Sequence, residues 1–162
     1  MGNLITNNKA PGEPYLKLSN GSTAVLISVL LLSGSDMARD DWERSLVTWL
    51  GEHDQSIFGR GVVGFDLDQI AWESGRFAEQ QAFVLAIIDR AIERHRWELL
   101  DYDPPFVQDQ LRVLRSLVEQ YQVEFVEGLR QWNWRARPER FEKCPIHQVY
   151  MHAYGCAICN DS

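Results

Sequence analysis

The clearest apolar signal in this 162-residue chain is a run without period, Ala24-Val-Leu-Ile-Ser-Val-Leu-Leu-Leu32. A run of that kind does not declare whether it is a buried strand or a buried helix. Tyr15-Leu-Lys-Leu18 ahead of it alternates, and Asn20-Gly21 favours the positive φ angles of a tight turn. One expectation is therefore a hairpin leading into the run; the other is a buried helix starting near Ser22 or Thr23. Residues 1–14 carry Asn, Gly and two prolines with no periodic apolar pattern, and read as a flexible arm.

Gly34 is expected to close the run, with Ser35 or Asp36 capping a helix that reaches about His53. Trp42, Leu46, Trp49 and Leu50 form its inward face. Gly59, Gly61 and Gly64 then mark an irregular loop. A stripe of Phe77, Val84, Ile88, Ala91, Ile92, His95 and Leu99 predicts a helix from about Gly75 to Leu100. Asp103-Pro104-Pro105 ends it and opens another to about Trp132, burying Leu111, Leu114, Val118, Tyr121, Phe125 and Leu129. Two such helices joined by a tight break should pack antiparallel.

These elements make an α+β, mainly helical fold. It has a short N-terminal hairpin or buried apolar element, three principal helices and a C-terminal knuckle. The organisation expected is an arm at 1–14, a single helical domain at 15–143 and a tail at 144–162 packed on it. A hydrophobic fraction of 45% and a charged fraction of 24% suit an ordinary globular core. The apolar run is far shorter than the ~20 residues that span a bilayer, and the polar stretch before it is a poor signal-peptide lead. A cytoplasmic protein with no membrane partner is the expectation.

The net charge of −7 argues against a surface that tracks nucleic acid throughout, and it suits a basic partner. The balance is local, however. Arg130 to Lys143 holds five basic residues against two acidic ones, with Arg130, Arg135, Arg137 and Arg140 interleaved among Trp132, Trp134 and Phe141. That segment is either a nucleic-acid patch or a connector whose aromatics pack inward.

All three cysteines fall in the last nineteen residues, beside histidines, which points to metal ligands rather than a disulfide framework. Cys144-x2-His147 and Cys156-x2-Cys159 are two ligand pairs separated by eight residues. A two-residue gap lets one tight turn aim two side chains at one ion, and zinc takes four such ligands in a tetrahedron. Pro145 pre-sets the first turn, and Asn160 tolerates the left-handed conformation that often ends one. Val149, Tyr150, Met151 and Tyr154 suit a short hairpin bending at Gly155. His152 is the alternative to His147 as fourth ligand. The arrangement resembles the paired knuckles of zinc ribbons, with one cysteine replaced by histidine, and that resemblance implies fold only. Four protein ligands leave no position for a water, so one structural zinc is expected.

Other chemistry is thinner. Gly59-Arg-Gly-Val-Val-Gly64 matches a dinucleotide-binding fingerprint, but no helix start follows it, so a loop is the better reading. Asp66, Asp68 and Glu73 lack the spacing of a calcium loop. His53, Asp54 and Ser56 supply hydrolase residue types without evident triad geometry. His95 lies on an apolar helix face and reads as a core histidine. The expected function is a non-enzymatic, zinc-stabilised interaction protein, compared on size and charge alone with immunity proteins, antitoxins and adaptors. The alternatives are a nucleic-acid-binding accessory factor using 130–143 and the knuckle, and an enzyme whose site the sequence does not reveal.

Overall fold

A computed structural model of the chain describes residues 3–54, 64–101, 103–126 and 140–160. Its centre is helix α1, Asn20–Met37, which begins where Ser19 Oγ accepts the Ser22 amide at 3.1 Å. Every residue from Leu26 to Ser35 is buried. This settles the apolar run as helix, and explains why it shows no period: a helix surrounded on all sides has no polar face to write into the sequence. Gly34 does not end it. A Cβ there would stand 2.8 Å from Val47 Cγ2, so the missing side chain lets the next helix lie close. Beside it, Ser33 Oγ donates to Ile87 O at 2.8 Å, joining α1 to a third helix.

The N-terminal hairpin forms upstream of the expected place. Strand β1, Asn3–Thr6, pairs antiparallel with β2, Tyr15–Leu18, in the register Asn3↔Leu18 to Thr6↔Tyr15. Most of the stretch read as a flexible arm is thus a strand and the loop that returns from it. Its asparagines bond rather than solvate: Asn3 Nδ2 donates to Thr23 Oγ1 at 2.9 Å, and Asn7 Nδ2 to Leu117 O at 3.1 Å. Ile5 supplies the inward apolar side chain.

A third strand, β3 (Phe65–Asp66), lies parallel to β1, giving the order β2-β1-β3. Gly64 enters this strand so close to β1 that a Cβ would fall 2.2 Å from Leu4 O. That close approach accounts for the last glycine of the fingerprint-like motif. Gly59 and Gly61 lie outside the described residues.

Helix α2, Asp41–Gly51, is capped by Asp40, whose carboxylate accepts the Glu43 amide at 2.8 Å. The cap therefore sits four or five residues later than the sequence suggested, because α1 runs on to Met37. Helix α3 spans Phe77–Ile92 and buries Phe77, Gln80, Phe83, Val84, Ile87, Ile88 and Ala91. It stops short of Leu100, with Arg94 and Arg96 both at positive φ (66° and 56°). Helix α4, Val107–Glu119, starts after Phe106 at φ 66°; Asp103, the expected cap, pairs with Arg94 instead. A short helix α5, Val123–Val126, follows. The predicted extension to Trp132, with Leu129, lies outside the described residues.

Helices α3 and α4 are antiparallel, as their cross-links require. Gln81 at the start of α3 donates to Val118 O and Tyr121 O at the end of α4, both at 2.9 Å, while Gln108 donates to Ile92 O at 2.7 Å. The fold is therefore mainly helical α+β, but with four long helices among the described residues where three were expected, because α1 joins them. Trp42, Trp72, Phe77 and Tyr121 pack as one aromatic group, Trp72 stacking on Tyr121 at 5.4 Å. No helix among the described residues is long and apolar enough to cross a membrane.

Gly64→Ala is expected to lower the stability of the folded chain by about 2 kcal/mol, because backbone of β1 must shift to admit the methyl group. Urea unfolding of the two proteins measures this; an unchanged midpoint would show that β1 is free to move.

Candidate metal centre

The chain enters the tail through a bridge between Lys143 and Tyr150. Between them, the Cys144 amide donates to Val149 O at 2.9 Å and the Gln148 amide returns to Cys144 O at 2.8 Å. This closes a tight knuckle over Cys144-Pro-Ile-His147. Gln148, at φ 55°, makes the left-handed exit from the turn. A second turn follows, His152 and Gly155 exchanging both backbone hydrogen bonds at 3.0 Å, with Gly155 at φ 102°. Helix α6, Ala157–Asn160, then carries the last cysteine. Asn160 is helical rather than left-handed, so that part of the expectation fails; the turn-ending role belongs to Gln148.

The two turns bring Cys144, His147, Cys156 and Cys159 together, with all four ligand atoms within 4.8 Å of one another. His147 Nδ1 lies 3.8, 3.6 and 3.3 Å from the sulfurs of Cys144, Cys156 and Cys159, and the Cys144 and Cys159 sulfurs are 3.6 Å apart. Ligands on a tetrahedron at zinc bond lengths stand about 3.8 Å apart for two sulfurs and about 3.6 Å for sulfur and nitrogen. The separations observed are of that size, and far from a disulfide bond length. The cluster is a compact metal-binding module of the zinc-knuckle kind.

Its electrostatics ask for a cation. Burial opposes ionisation of Cys144, but the amides of His147 and Ile146 and the side chains of His147 and Cys159 outweigh it and bring the thiol down to about 6. Burial pushes Cys156 up to about 12, reinforced by the neighbouring Cys144, and raises Cys159 for the same two reasons. One thiolate thus suppresses the other two. A divalent cation at their centre removes that conflict, because metal-bound thiols are deprotonated outright. The Cys159 amide already donates to Cys156 Sγ at 3.5 Å.

The module is docked, not dangling. Val149 is fully buried, and Cys144, Cys156, Ala157 and Ile158 join the main core. The Tyr150 amide donates to Ser35 Oγ on α1 at 3.0 Å. The Arg96 guanidinium donates to His147 O at 3.1 Å, Gln148 O at 3.3 Å and Leu32 O at 3.4 Å, and lies 2.9 Å from Asp36. Arg96 owes this reach to the left-handed break after α3. Neither Arg96 nor Ser35 carries a motif, so spacing along the chain gave no signal for either.

His152 is not a fourth ligand. Its Nδ1 accepts the Tyr154 amide at 3.0 Å, which puts the proton on Nε2, and Nε2 donates to Asp54 Oδ2 at 2.9 Å. Both ring nitrogens of the one histidine paired with a buried carboxylate are therefore occupied. His53 turns away from Asp54, its Nδ1 donating to Trp49 O at 2.9 Å. Ser56 lies outside the described residues. His95 is held between Asp36 at 2.7 Å and Arg90 at 3.3 Å.

The three acids do not gather around one point. Asp66 accepts from Thr6 at 2.7 Å and from the Asp68 amide at 2.8 Å; Asp68 accepts from Tyr121 at 2.5 Å; Glu73 accepts from Gln80 at 2.9 Å. Of the basic segment, residues 130–139 lie outside the described residues. Arg140 and Lys143 are exposed, Lys143 Nζ standing 5.2 Å from the Tyr150 ring centre.

Compared with known proteins, the chain matches no family model, no curated protein and no solved structure.

His53 offers a pH test. Burial lowers its proton affinity to about 4 against the partial compensation of the Trp49 and Leu50 carbonyls. Below about 6.5 the unfolded chain takes up a proton that the folded one refuses, so stability falls as pH drops through the window from 6.5 to 4. Between pH 7 and pH 5 this amounts to about 2 kcal/mol. Urea titrations at both values should show that loss in the wild type and a shallower one in His53→Gln; equal slopes would rule out a neutral, half-buried His53.

Proposed function

We propose that the chain is a non-enzymatic interaction protein stabilised by one structural zinc held by Cys144, His147, Cys156 and Cys159. The observation that carries this reading is the closed four-ligand cluster, whose atoms all lie within 4.8 Å. Four protein ligands complete the tetrahedron, so the ion supplies folding free energy and leaves no site for a reacting water.

The interaction surface is supported by side chains that folding leaves outside. Phe106 is 75% exposed, and it borders a groove of about 360 Å³ formed with Ala24, Val25, Pro105 and Val107. Tyr154 and Ile146, on the two turns of the knuckle, are 63% and 69% exposed. Large apolar groups of this kind are the usual anchors of protein interfaces. The acidic balance of the chain suits a basic protein partner in the cytoplasm. Nucleic acid is the competing partner, through Arg140, Lys143 and the basic segment that precedes them.

Native mass spectrometry should find one zinc per chain in the wild type and none in Cys156→Ser/Cys159→Ser, with the helical signal of the body retained. Absence of metal from the wild type under reducing conditions would overturn the reading. A pull-down from the source cells should retain one stoichiometric protein that survives nuclease and is lost in Phe106→Asp. Retention that nuclease abolishes would assign the surface to nucleic acid instead.

A further inference from the structure

The two ligand pairs are held by two different parts of the helical body. Arg96 grips the first, through the carbonyls of His147 and Gln148. The second is gripped from the end of α2. Asp54 Oδ2 accepts from His152 Nε2 at 2.9 Å and from Asn160 Nδ2 at 3.0 Å. Asn160 directly follows Cys159, and its Nδ2 also donates to Tyr154 O at 3.2 Å. His152 opens the turn that delivers Cys156. The Asp54 and His152 side chains are 3% and 2% exposed, so the bond between them is made out of water.

We propose that Asp54 is a positioning residue for the metal: not a ligand, it sets the second cysteine pair in place through His152 and Asn160 before the ion arrives. This inference rests on the zinc reading above. Its physical basis is preorganisation. A nineteen-residue tail loses much conformational entropy when its four ligands converge, and whatever portion is fixed beforehand is not subtracted from the binding free energy of the ion. Two bonds from one buried carboxylate fix both ends of the segment 152–160. The His152 tautomer, with its proton on Nε2, lets one carboxylate oxygen receive both donors.

Linkage makes the effect reciprocal. If Asp54 raises zinc affinity, zinc in turn tightens the segment just after α2 on which Asp54 sits. The metal then acts on the helical body as well as on its own loop.

The test is zinc affinity of the full chain, measured by competition with a chromophoric chelator. Asp54→Ala is expected to weaken binding about tenfold or more, the range seen when groups supporting metal ligands are removed. Asp54→Asn should retain most of the affinity, since its carbonyl oxygen still accepts both bonds. Asn160→Ala should lose part of it, and should cost less in the Asp54→Ala background than in the wild type, because the two share one contact and only the Asn160 bond to Tyr154 O is then left to lose. Cobalt absorption reports whether the tetrahedral ligand field survives, and circular dichroism reports the helical body. If Asp54→Ala fails to fold without metal, Asn160→Ala and His152→Gln carry the comparison. Wild-type affinity in a folded Asp54→Ala, or additive losses in the double variant, would overturn the proposal and leave the zinc reading intact. A wild type that binds no zinc would remove both.

Discussion

A helix with no solvent face has to be surrounded, and much of the described chain is occupied in surrounding α1. The burial of Leu26 to Ser35 without interruption fixes what the other elements can be. Helix α2 crosses where Gly34 admits Val47, α3 is tied to it through Ser33, and the β1–β2 hairpin closes its first turn through Asn3 and Thr23. Each fully buried leucine of α1 contributes on the order of 2 kcal/mol when removed from water, so the helix is where the apolar stabilisation concentrates. Its C-terminal end still has to be covered. The metal module does that, with Tyr150 on Ser35 and Arg96 bridging Leu32 to His147.

The covering has a direction. A tail of this length buries too little by itself to offset its own conformational entropy. It contributes Val149, Ala157 and Ile158 to a core that the helices have already assembled. A metal ion at the cluster would convert that marginal docking into a fixed one, since it would be bound only when both ligand pairs are in place. The thiol chemistry agrees: without a cation, the ionised Cys144 holds Cys156 and Cys159 protonated. Metal binding at the cluster and docking of the module would therefore reinforce one another.

Legibility in the sequence followed the range of the interactions. The knuckle was readable because Cys144-x2-His147 and Cys156-x2-Cys159 are local spacings with local geometry, while His152 stayed open as the alternative to His147. The stripes of α3 and α4 were readable because each has one wet face. What failed was set at long range. Gly34 looked like a break, since the propensity of an isolated glycine says nothing of a neighbour 13 residues away whose side chain needs the space. Residues 3–14 looked like an arm because their anchors are asparagines bonding to positions as distant as Leu117, which no hydrophobic period reveals. The end of α3 was misplaced by the left-handed Arg94 and Arg96, and the conformation of Arg96 is explained only by the carbonyls it reaches in the tail.

That last pattern bears on where function lies. Several titratable residues that the sequence singled out are engaged in joining segments: His95 with Asp36, His152 with Asp54, Asp68 with Tyr121. A general base needs a ring nitrogen or carboxylate within reach of a substrate proton. Here the Asp54–His152 pair has both ring nitrogens committed and lies under 4% exposed, a placement suited to holding two segments together. The apolar groups, by contrast, include several that folding does not use. Phe106 adopts a left-handed backbone at the mouth of a groove and leaves three quarters of its surface outside. A bulky residue in that conformation carries a cost of order 1 kcal/mol or more, and folding recovers little of it when the ring remains in water. A partner seated in that groove, as proposed above, would recover part of it.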